Sequence, residues 1–141
     1  MHTTKLTDVK VILTVQQSKN KSMSLCVTAN NNSYTFDDLD QGQNTIDLQL
    51  TFPCVCKFET YGKDPSDTVI DACNKIVEDK YIILDDIQID GYSVDKNFLL
   101  QHLTFYTEDN QKLDTNFWAF NGICLIDLSP TPFQWLAQTK N

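Results

Sequence analysis

The chain has 141 residues, 41% of them hydrophobic, and carries a formal charge of −8 from 19 acidic against 11 basic residues, every one of the latter a lysine. That length suits a single domain whose core needs no disulfide staples. So acidic a chain repels polyanions and has no Arg fork for phosphate or base edges, and no apolar run nears the ~18 residues that cross a bilayer, so nucleic acid and membrane are excluded as partners.

The opening MHTTKLTDVK lacks the apolar stretch of a secretion signal, so the expected place of synthesis is a reducing cytoplasm. Residues 9–15 (VKVILTV) and 23–28 (MSLCVT) read as strands separated by the turn QSKNKS, and Asn30, Asn31 and Asn32 force the next turn. After a short strand at 34–36 and the polar loop DDLDQGQN, Ile46, Leu48, Leu50, Phe52, Cys54, Cys56 and Phe58 alternate with wetter residues. Such a run is too long for one straight strand, and Pro53 has no N–H to give, so it reads as a strand that bends at Pro53 and crosses between sheets. The loop YGKDPSDT follows. Residues 80–90 (KYIILDDIQID) form another strand, expected to cross faces, with a bulge near Asp85 and Asp86 and a hairpin turn at Asp90-Gly91. Residues 103–107 and 117–128 complete the set, the last strand (FWAFNGICLIDL) being apolar on both faces and therefore central. Thr131, Pro132 and Gln134 suit the start of a short helix or hook.

The expected fold is all-β, an antiparallel, jelly-roll-like β-sandwich over residues 1–128, with a C-terminal docking segment at 129–141. No internal repeat or low-complexity segment interrupts it.

Five cysteines without a CxxC pair, and histidines only at 2 and 102, make neither a zinc site nor a disulfide framework. Cys54 and Cys56 share a strand face with Phe52 and Phe58 and read as small core hydrophobes. His102, in an apparent strand between Gln101 and Leu103, has no nucleophile motif around it, and nothing singles out a carboxylate pair for glycoside cleavage, so the chain reads as no enzyme. Asp64, Asp67 and Asp71 on one turn are the candidate ligands for calcium, set against solvated turn residues that cap backbone N–H groups; otherwise no cofactor is expected. Sugar binding needs exposed rings, and Tyr61 and Tyr92 beside loops are the candidates, whereas Trp118 and Phe120 read as core. Phe133, Trp135 and Leu136, beyond the last strand, either fold back or dock into a neighbour as a buried anchor.

The segments LDQGQNTIDLQLTFP, YGKDPSDTVID and NKIVEDKYIILDDIQIDGY, between Tyr34 and Thr107, resemble the carbohydrate-binding-module-like β-sandwich domains of bacteriophages, especially those of marine cyanobacteria. The likeness lies in the turn Gly62-Lys63-Asp64, in Asp79 to Ile82 opening a strand, and in the closing Ile-Asp-Gly. It implies a non-enzymatic virion component made in the host cytoplasm, such as a capsid decoration, neck or tail protein, that contacts other virion proteins and forms a homo-oligomer or symmetric assembly. The alternative it implies is a carbohydrate-binding module for a polysaccharide, assisted by calcium. The absence of Arg beside many Asn and Lys also suits an AT-rich genome.

Overall fold

Alternation of apolar and polar side chains shapes nearly every element of the computed structural model, which describes residues 6–128. In chain order these are β1 (Thr7–Gln16), β2 (Ser24–Ala29), β3 (Asn32–Phe36), β4 (Gly42–Leu50), β5 (Cys54–Tyr61), a 3-10 turn (Pro65–Asp67), β6 (Val69–Ile70), β7 (Ile76–Glu78), β8 (Tyr81–Ile89) and β9 (Tyr92–Ser93). They continue with α1 (Lys96–Gln101), β10 (Leu103–Thr107), β11 (Lys112–Leu113), β12 (Phe117–Trp118) and β13 (Gly122–Leu128). Strand pairing is antiparallel, as the all-β reading requires. One sheet has the order β12-β8-β1-β4 with β9 added to β8, a second has the order β11-β10-β13-β5-β2-β3, and β6 with β7 makes a separate two-stranded ribbon.

The long alternating run changes sheet where Pro53 stands. β4 pairs with β1 down to Thr7 opposite Leu50, and β5 begins with Cys54 opposite Leu128 of β13. The dry face survives the crossing: Ile46, Leu48 and Leu50 are buried in one sheet, and Cys56 and Phe58 in the other. These join Val11 and Leu13 of β1, Leu84 of β8, Phe105 of β10 and Ile126 of β13 in a single hydrophobic cluster. Trp118 is fully buried in it, with its ring centroid 5.6 Å from Phe58 and 6.3 Å from Phe105, while its indole N–H donates to the Thr115 carbonyl at 3.3 Å. A buried indole needs such a partner to avoid an unsatisfied donor.

Three expectations need correction. Residues 117–128 are two strands in different sheets, and the passage between them turns Phe120 outward to 54% exposure, so Phe120 is not core. β8 has the expected bulge, since Ile12 faces Asp86 while Leu13 faces Leu84, leaving Asp85 as the extra residue. The bulge shifts the buried set from Ile82 and Leu84 to Ile87 and Ile89, and Asp85 accepts the Thr14 hydroxyl, but β8 stays in one sheet and crosses no face. His102 caps α1 instead of lying in a strand. The helix itself starts at Asp95, whose carboxylate accepts the Phe98 N–H at 2.9 Å.

Candidate functional site

The loop after β5 is closed by two crossed ion pairs. Gly62, at φ 88°, turns the chain so that Lys63 reaches inward, where its ammonium lies 2.7 Å from Asp79 and donates to the Ala119 carbonyl at 2.6 Å. Lys80, next to Asp79, pairs at 3.3 Å with Asp67, and both of these side chains are 6% exposed. Asn121 locks the third side: it accepts the Lys63 N–H at 2.9 Å and donates back to the Lys63 carbonyl at 2.8 Å. Burial alone would raise the pKa of Asp67, but the Asp64 N–H and the Lys80 ammonium outweigh it and hold the carboxyl below its usual value. For Asp79 burial is likewise outweighed, by Lys63, the Thr68 hydroxyl and the Lys80 N–H. The turns Gly62-Lys63-Asp64 and Asp79-Lys80-Tyr81, far apart in sequence, are thus the two halves of one polar clasp.

Two features stand on this clasp. The first is a cleft of about 400 Å³ whose walls include Asp64, Pro65, Glu108, Asp109, Ala119 and Phe120. A second cleft of about 300 Å³ adjoins it, lined by Glu59, Tyr61, Tyr106, Glu108, Asn110 and Asn121 among others, so that Glu108 and Asn121 border both. The second feature is the ribbon of β6 and β7, an arm whose strands pair with neither larger sheet. Its register sets Val69 opposite Glu78 and Ile70 opposite Ile76, leaving Val77 as a bulged residue. Ile70, Ile76 and Val77 are 56%, 61% and 60% exposed. Polar bonds fix its base, since Glu78 accepts from the Ser18 hydroxyl at 3.0 Å and the Lys19 N–H at 3.1 Å.

The residues singled out from sequence fall in different places. Tyr61 lines the second cleft and donates its hydroxyl to Asp37 at 3.3 Å. Tyr92 is 64% exposed on β9, which pairs with the far end of β8, so the fold does not bring it beside Tyr61. Asp64 lines the first cleft, Asp67 is tied to Lys80, and Asp71 accepts the Cys73 and Lys75 N–H groups at 2.8 and 3.0 Å as a turn cap. Among the described residues no three His, Cys, Asp or Glu side chains are grouped to hold a metal ion. Phe133, Trp135 and Leu136 lie outside the described residues.

Sequence reasoning passed over Glu108 and the arm, and read Phe120 as core. The signals were present: Asn121-Gly122 is a turn dipeptide inside an apolar run, and Val69-Ile70 and Ile76-Val77 bracket the polar stretch of Asp71 to Lys75. Comparison with known proteins gives no matching family model, no matching curated protein and no matching solved structure.

Proposed function

We propose that the two sheets form a jelly-roll-like β-sandwich and that the chain is a non-enzymatic accessory component of a bacteriophage virion, acting through protein–protein assembly. The observation that carries the assembly reading is the arm, with three aliphatic side chains held out in solvent on a polar, well-fixed base. Covering what remains exposed on Ile70, Ile76 and Val77 contributes roughly 3–4 kcal/mol, which falls short of the cost of bringing two molecules together. The arm therefore works as one contact among several, as in a symmetric particle. The bacteriophage setting, the virion as location and the host cytoplasm as place of synthesis rest on the resemblance of the segments between Tyr34 and Thr107. The non-enzymatic part of the reading rests on the same resemblance and on the lack of a nucleophile motif around His102.

Carbohydrate binding is the second reading, favoured by the exposure of Phe120 and Tyr61 on adjoining clefts. Light scattering on the eluting chain, together with co-sedimentation with virus particles, separates the two. Assembly predicts a multiple of 16.1 kDa or particle association, lost in Ile76→Asp and Val77→Asp. A monomer that ignores particles and is retarded on a polysaccharide gel overturns the first reading in favour of the second.

A further inference from the structure

The two clefts share one chemistry. Each has an aromatic wall, Phe120 in the first and Tyr61 with Tyr106 in the second, and each is bordered by carboxylates: Asp64, Glu108 and Asp109 in the first, Glu59 and Glu108 in the second. Among the described residues, the one cation in either lining, Lys63, is spent on Asp79 and the Ala119 carbonyl behind the wall. The first cleft is also lined by the apolar side chains of Pro65 and Ala119. A long side chain with an aliphatic stem and a cationic head fits this arrangement, the stem lying against Phe120 and Pro65 and the head reaching the rim carboxylates.

We propose that this end of the molecule docks basic side chains, arginine or lysine, of a protein partner other than a second copy of the chain. Self-association through this end is opposed by the net charge of −8 and by carboxylates meeting carboxylates. The inference rests on the assembly reading only for the source of the cation; the clefts themselves are tested on the isolated chain.

The experiment is a titration of the ¹⁵N-labelled chain with Nα-acetyl-arginine methylamide, followed by amide chemical shifts. The expected shifts are confined to residues 59–61, 63, 64, 106–110 and 119–123. Phe120→Ala and Glu108→Gln, both at exposed positions, each weaken binding about threefold to tenfold. Asp90→Asn removes the same charge at the far end of β8, keeps a residue suited to its left-handed turn position, and leaves the affinity unchanged. Equal weakening in Glu108→Gln and Asp90→Asn would mean only general attraction to an acidic protein and overturns the proposal. Stronger shifts of the same amides with cellohexaose overturn it too, assigning the clefts to a neutral saccharide. Either failure leaves the arm untouched, whereas particle association that survives Ile76→Asp and Val77→Asp sinks the arm without bearing on the titration.

Discussion

Cys73 sits in the turn at the tip of the arm and is exposed, whereas Cys56 and Cys124 are buried in the core and Cys26 and Cys54 are half-buried. Burial pushes the Cys124 thiol far above its ordinary value, and Cys56 rises likewise through its hydrogen bond to Cys54 and then through burial. The same hydrogen bond lowers Cys54, against burial and the nearby Asp127. Since only the thiolate attacks a disulfide reagent, access and pKa together rank the five. With an aromatic disulfide at pH 8, Cys73 reacts in a single fast phase that Cys73→Ser removes, Cys54 and Cys26 follow, and Cys56 and Cys124 react only in denaturant. A fast phase that persists in Cys73→Ser would contradict the exposed position of the arm's tip.

Gly122 opens β13 between Thr107 and Thr60, at the point where the chain has just changed sheets. A Cβ built there would lie 2.3 Å from the Tyr106 carbonyl oxygen and 2.9 Å from the Phe105 ring, so β10 and β13 close only around glycine. Gly122→Ala is expected to cost about 2 kcal/mol or more in urea unfolding. Gly91→Ala, at φ 87° with nothing near its Cβ, meets backbone strain alone and costs less, about 1 kcal/mol. Equal midpoints for the two variants would show that the strand approach is looser than its geometry. Gly91 was legible beforehand because Asp-Gly is a local signal, and Asp90 and Gly91 do take left-handed conformations, as Asn30 and Asn31 do. The sheet change at Pro53 was legible from the missing N–H and the length of the run. The two-residue strands of the arm and the six-residue α1 are too short for any period to show. Phe120 was misread because an apolar run looks the same whether it stays in one sheet or passes between two. The clasp was invisible for a different reason: the partners in Lys63–Asp79 and Lys80–Asp67 lie more than ten residues apart, and no local pattern encodes such a pair.

For the molecule as a whole, acid acts in two opposed ways. From pH 7 toward the isoelectric point near 4.5, the charge of −8 is neutralised and self-repulsion falls, which favours the folded state. The clasp responds lower down. Asp67 and Asp79 have folded pKa values below the ordinary carboxylate value of about 4, so the stability they contribute is present above that value and is lost as pH falls through the folded values. Stability should therefore peak at mildly acidic pH and drop steeply below about pH 4, with the loop of Gly62 to Lys80 and the arm it supports released together. Asp67→Asn leaves Lys80 buried without its counter-charge and should cost about 3 kcal/mol or more at pH 7. Its thermal midpoint should fall less than that of the parent between pH 5 and pH 2, so that the two curves converge in acid. Curves that stay parallel over that range would place the acid sensitivity elsewhere, and the clasp would then be a fixed brace with no part in how this end of the molecule answers to pH.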